Sequence, residues 1–153
     1  MELVVVVCKD SGCKPGEVSA VGKGAWWCVA NRCTICMATG DPHYTTFDGC
    51  RYNFMGTCVY LLTGLFSTDP TLIPFAVTVE NNHHGSRLVS FTKVVTMEVY
   101  KMTLSLSQKH PQRVKVNGVL LDFPFTHNHQ LQVSLCGIHS FITTDTGVTV
   151  TFD

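Results

Sequence analysis

Charge is scarce in this chain. Eleven basic and eleven acidic residues among 153 cancel, and the charged share of 14% lies well under the roughly 25% of an average domain. No run of either sign occurs. A polyanionic partner needs clustered Lys and Arg, so nucleic acid and an anionic membrane surface are excluded as main partners. Long apolar runs are missing too: no stretch approaches the roughly 20 residues that span a bilayer. The opening Met1-Glu2-Leu3-Val4-Val5-Val6-Val7 lacks the basic region and the apolar length of a signal peptide. Asn-x-Ser/Thr sequons are absent, so N-glycosylation is not expected within these residues. Neither a helix of normal length nor an internal repeat is visible.

Cysteine, by contrast, is plentiful and unevenly placed. Of eight cysteines, Cys8, Cys13, Cys28, Cys33, Cys36, Cys50 and Cys58 fall in the first 58 residues, and Cys136 stands apart. Clustered among Gly, Pro, Lys and Ser, they read as a disulfide-stapled module of a secreted protein. A zinc site would join Cys33-x2-Cys36 to a pair such as Cys8 and Cys13. That second pair has four intervening residues, and no His sits at ligand spacing. A redox site at Cys33-Thr34-Ile35-Cys36 would need a helix where Gly40-Asp41-Pro42 instead predicts a turn. Disulfides are the preferred reading.

Two zones follow. Residues 1–35 form a cysteine-rich segment, nearly structureless apart from a short strand at Leu3–Val7. Residues 36–153 alternate in the β manner. "HYTTFD" and "RYNFM" flank Asp48-Gly49, a two-residue hairpin signal, and Asn117-Gly118 is a stronger one. "LVSFTKVVTMEVYKMTLSLS" must fold on itself near Tyr100-Lys101. "CVYLLTGLF", "LIPFAVTVEN", "HQLQVSLCG", "HSFITTD" and "GVTVTFD" complete the strands, with Phe141 and Phe152 read as core. A 153-residue chain can bury about 68–70% of its unfolded surface. The expectation is an all-β fold, a two-sheet antiparallel β-sandwich preceded by the cysteine-rich segment. The strand that stops at Asp153 adds the expectation of a chain cut from something longer.

Chemistry concentrates at Gly40-Asp41-Pro42-His43. An Asp carboxylate can attack its own main-chain carbonyl, and the tertiary amide nitrogen of Pro accepts a proton more readily than a peptide N–H nitrogen. His43 sets a proton donor beside that bond. Two readings stand: a turn leading into a strand, or a bond made to break. Other candidates are weaker. His83-His84 and His127-x-His129 fall in polar stretches and read as solvated loops. Trp26-Trp27 read as a cover for a disulfide. A hydrolase on Cys136-Gly137-Ile138-His139 would need its nucleophile and base on one strand, three apart and on opposite faces.

"GDPHYTTFDG", "YNFMGTCVYLL", "VTVENNHHGS" and "TTDTGVTVTFD" together resemble the von Willebrand factor type D domain over residues 36–153. The resemblance implies a two-sheet sandwich, C-terminally truncated here, in a secreted mucus or adhesion glycoprotein. It implies partners that are other mucus or matrix glycoproteins and a homo-multimeric parent. It also matches Gly40–His43 to a self-cleavage motif. Asp41 would attack its own carbonyl to give a cyclic anhydride, with Pro42 leaving after protonation through His43. Such a step runs once per molecule, so no turnover enzyme is expected. Asp48 matches one calcium ligand of the complete domain; the remaining ligands have no counterpart here, and calcium binding by these residues alone is expected to be weak or nil. Cys36 and Cys58 match cysteines whose partners lie outside this sequence. Cys50 replaces a residue that is usually basic or apolar. A specific receptor- or immunoglobulin-binding module that does not cleave is the alternative.

Overall fold

The structure is a computed structural model that describes residues 17–22, 25–30, 34–40 and 43–153, with the backbone alone at 17–22, 25–30, 84 and 86–88. Among them there is no helix, and fifteen strands form four antiparallel sheets. The chain is therefore all-β, as its alternation predicts. The first pair, β1 (Glu17–Gly22) and β2 (Ala25–Ala30), makes a hairpin of its own. This corrects the nearly structureless reading of residues 1–35; the strand expected at Leu3–Val7 lies outside the described residues.

A three-stranded sheet follows from β3 (Met37–Thr39), β4 (His43–Thr45) and β5 (Arg51–Asn53). The largest sheet is a meander of β6 (Val59–Leu65), β7 (Phe75–His84), β8 (Ser86–Val99), β9 (Met102–Ser107), β10 (Arg113–Val116) and β11 (Val119–Asp122), each paired with its neighbour in sequence. The last four strands form another meander: β12 (Phe125–His127), β13 (Leu131–Cys136), β14 (His139–Thr144) and β15 (Thr149–Phe152). Strands β1, β2, β3 and β12 were not legible as strands in the sequence.

Turn chemistry places the hairpins. Asn117 and Gly118 adopt φ of 47° and 87° between the paired Val116 and Val119, the type I′ geometry that Asn-Gly favours. Tyr100 and Lys101 reverse the long β run with φ of 52° and 59°, so Val99 meets Met102. These are bulky residues in a left-handed region. The Tyr100 phenol donates to the Asp145 carboxylate, tying this turn to the one between β14 and β15.

Period-two alternation fills the core. Val77 and Val79 of β7 lie opposite Met97 and Val95 of β8, which lie opposite Leu104 and Leu106 of β9. All six are buried. Leu131, Val133, Ile142, Val150 and Phe152 from the four-stranded sheet join the same cluster, as do Ala38 and Tyr44 from the small sheet and Cys36 just before it. Each fully buried aliphatic side chain of this kind contributes about 1.5–3 kcal/mol relative to exposure. Phe141 is a correction. It opposes Thr151 whereas Ser140 opposes Phe152, so the two phenylalanines face opposite sides of the sheet. Phe152 is buried and Phe141 only partly so.

Candidate functional site at the tip of the small sheet

The small sheet frames the Gly-Asp-Pro-His stretch. Thr39 and His43 are register partners, leaving residues 40–42 as a three-residue connection from β3 to β4. Gly40 has a φ of +59°, a left-handed value that other residues adopt only with strain. A Cβ there would meet nothing closer than His43 Cδ2 at 3.9 Å, so conformation rather than space calls for glycine. Asp41 and Pro42 lie outside the described residues.

His43 opens the central strand β4 and is exposed. Its partner across the other side is Asn53, and His43 Nδ1 lies 2.6 Å from Asn53 Oδ1. The sequence reading missed Asn53, and register explains why. A two-residue Asp48-Gly49 turn would pair Phe47 with Cys50 and therefore His43 with Phe54. Instead a five-residue connection pairs Thr45 with Arg51. Gly49 N–H donates to Thr46 O at 2.9 Å, and Thr46 N–H donates to Cys50 O at 2.9 Å. Of Asp48 and Gly49, only Gly49 has a positive φ, 83°. The one-residue slip exchanges every side chain between faces.

The slip also sets Tyr44 against Tyr52, stacked at 5.3 Å with rings 13° apart. Tyr44 is buried, and its hydroxyl accepts from Asn81 Nδ2 at 2.6 Å. Burial pushes the Tyr44 phenol up, and the Asn81 hydrogen bond works against that rise. The rigid contact of Tyr44 with β7 fixes the strand that begins at His43.

Asp48 is exposed on the connection to β5. The Thr46 hydroxyl donates to its carboxylate. That bond, with main-chain N–H groups of Asp48 and Cys50, holds its carboxyl below the ordinary Asp range. Calcium takes six to eight oxygens, and no three His, Cys, Asp or Glu side chains come together among the described residues.

Cys36, Cys50, Cys58 and Cys136 are unpaired. Cys36 is buried, and burial pushes its thiol up to about 11; the other three are exposed. Cys8, Cys13 and Cys33 lie outside the described residues, as does the Cys28 side chain. Their disulfides, and a stacking or covering role of Trp26 and Trp27, fall there too. His83 bonds Val89 O through Nδ1 at 3.2 Å, and Asn128 Nδ2 lies 3.1 Å from His127 Nε2. Cys136 and His139 are not on one strand: they close the β13–β14 hairpin as register partners and share a face. His139 Nδ1 lies 3.7 Å from the Asp153 carboxylate.

The profile of the von Willebrand factor type D domain matches residues 36–153. The chain is 45% identical over 149 residues to the human IgGFc-binding protein, covering 97% of this chain and 3% of that protein. It is 32% identical to human alpha-tectorin, covering 97% of this chain and 7% of that protein. With mouse zonadhesin the identity is 33% over 150 residues, again 97% of this chain and 3% of the relative. The chain thus spans under a tenth of the length of these relatives. With a family profile that covers every strand from β3 to β15, the chain belongs to the von Willebrand factor type D domain family.

Proposed function

We propose that the chain is an extracellular structural module, an assembly unit of a secreted mucus or adhesion glycoprotein, and that its Asp41–Pro42 bond breaks once by self-cleavage. Membership of the type D family over 36–153 supports the first half. The partners in this reading are other matrix or mucus glycoproteins and further copies of the parent chain, joined by disulfides and domain contacts. Calcium belongs to the parent domain, with Asp48 supplying one oxygen ligand among the six to eight required.

The observation that carries the cleavage reading is the three-residue connection clamped by the Thr39–His43 pair, with Gly40 left-handed at its start. In the reaction the Asp41 carboxylate attacks its own carbonyl carbon and forms a five-membered anhydride. The bond to Pro42 nitrogen breaks, and that nitrogen leaves as a secondary amine after taking a proton. Water then opens the anhydride to two carboxyl groups. A nucleophile on another molecule would instead leave an acyl crosslink.

Intact mass measured under reducing conditions after incubation at pH 5 to 7, beside Asp41→Ala, tests this. Two fragments that meet at Asp41 and Pro42 and sum to the intact mass plus one water are expected from the wild type only. A chain that stays whole, even when extended through its parent domain, makes Gly40–His43 a turn. The 45% identity to the human IgGFc-binding protein favours a second reading, an Fc-binding module without cleavage. Saturable binding of Fc by an uncleaved chain is its signature.

A further inference from the structure

A thiol, an imidazole and a carboxylate stand in one row across the four-stranded sheet. Cys136 and His139 are register partners on either side of a two-residue turn, in which Gly137 has a φ of +63°. Ser140 opposes Phe152, so the next position outward sets His139 beside Asp153. Strand β14 lies between β13 and β15, which makes the imidazole the middle member of the row. The Asp153 carboxylate is only 7% exposed and lies 3.7 Å from His139 Nδ1. Nδ1 is itself buried and has no hydrogen-bond partner among the described residues. A buried polar atom of this kind calls for an explanation, and the neighbouring negative charge supplies one by favouring hydrogen on Nδ1. Nε2 is then the nitrogen free to take a proton, on the ring edge turned away from β15. Phe141, on the same face of β14, packs edge-on against the ring with centroids 6.4 Å apart. Opposed residues of an antiparallel pair hold their Cβ atoms about 4.5–5.5 Å apart, so side-chain rotation is enough to bring the Cys136 thiol to Nε2. Cys136 is exposed, which admits a second reactant.

From this row we infer that Cys136 is a thiol–disulfide exchange site, with His139 as its base and Asp153 as the residue that positions the ring. The substrate class is a disulfide. The thiol proton passes from Cys136 to His139 Nε2 as the Cys136 sulfur attacks one sulfur of the disulfide. The sulfur–sulfur bond of the substrate breaks, its electron pair leaves on the other sulfur, and His139 returns the proton there. The products are a mixed disulfide on Cys136 and one free thiol, so Cys136 is oxidised by the disulfide that it reduces. Asp153 stays ionised throughout. Two further charged or titratable groups stand nearby, His110 and Arg113, which line a hollow together with Gly137, Ile138 and Asp153. Arg113 is taken up by the Asp122 carboxylate at 2.7 Å. The inference extends the assembly reading above by naming a cysteine that joins chains, and it rests on that reading only for the partner.

The test follows each cysteine of the whole chain separately. The reduced, desalted chain is exposed to oxidised glutathione at pH 7, quenched with acid at intervals and mapped by peptide mass spectrometry. Cys136 should form its mixed disulfide about 3-fold or more faster than Cys50 and Cys58, which are also exposed. His139→Gln should bring Cys136 down to their rate and leave theirs unchanged; buried Cys36 staying unmodified shows that the variant is folded. For Asp153, long-range proton–nitrogen NMR correlations of His139 should show the Nδ1–H form in the neutral ring, and Asp153→Leu should shift it toward Nε2–H while slowing Cys136. A second arm uses a disulfide-bonded peptide with apolar residues beside its cystine. Preference for the peptide over glutathione, lost in Ile138→Ser, assigns a protein disulfide docking on Ile138, which is 76% exposed; equal rates assign a low-molecular-mass disulfide. Cys136 reacting no faster than Cys50 and Cys58, or unaffected by His139→Gln, overturns the inference and leaves assembly through other cysteines standing.

Discussion

The Asn81 side-chain amide donates to the Tyr44 phenol oxygen at 2.6 Å, bridging 37 positions of sequence. Thr92 completes the network by donating to Asn81 Oδ1 at 3.1 Å. Asn81 and Thr92 are 2% and 3% exposed, so their polar groups have little water to fall back on. The small sheet with the Gly-Asp-Pro-His connection is thereby pinned to β7 and β8.

Tyr44→Phe removes the acceptor and leaves a buried amide N–H unsatisfied. A loss of about 1–3 kcal/mol is expected. Urea unfolding should show a lower midpoint with an unchanged slope; an unchanged midpoint would mean the amide finds another partner.

The Ser90 hydroxyl is the reverse case: it is buried and has no hydrogen-bond partner among the described residues. Ser90→Ala should be neutral or stabilise by up to about 1 kcal/mol, since it removes a desolvated hydroxyl without stranding another group. A melting temperature several degrees lower would refute this.

Thiol reactivity should divide the described cysteines. Cys36 is 2% exposed, and its thiol is pushed up to about 11. Near pH 8 only about one molecule in a thousand carries the thiolate that reacts. Alkylation of the reduced, folded chain should label Cys50, Cys58 and Cys136 well before Cys36, by peptide mass spectrometry. In denaturant the four should react alike.

Tyr100 titrates above the ordinary tyrosine range, first through burial and then through the hydrogen bond and negative charge of Asp145. A raised folded value means that its contribution to stability is fully present below about pH 10 and is lost as pH rises through that raised value. Asp145→Asn should move part of the tyrosinate absorbance transition to lower pH. It should also narrow the alkaline loss of stability assigned to this residue. An unchanged absorbance titration would sink the assignment.

Most of the fold was legible from side-chain period and turn chemistry. Both are local properties, and a chain displays local properties in its sequence. Val77, Val79, Val95, Met97, Leu104 and Leu106 alternate with polar or less buried neighbours, and they face inward as alternation requires. Asn117-Gly118 and the reversal at Tyr100-Lys101 fell where turn propensity put them. Short strands such as Met37–Thr39 and Phe125–His127 were missed, because three residues carry too little period to read. Asp48-Gly49 misled by one residue, since a five-residue connection and a two-residue turn share those letters.

The sequence by itself determined the β class, the family of residues 36–153 and the presence of an Asp-Pro bond beside a histidine. Only the tertiary structure decided which side chain holds that histidine, which cysteine is buried and which polar groups the core encloses. Asn53 reaches His43 through strand register, and Asn81 reaches Tyr44 across two sheets. Such contacts follow from how separate segments are set against each other. The local preferences that write strands and turns into a sequence do not encode that relation.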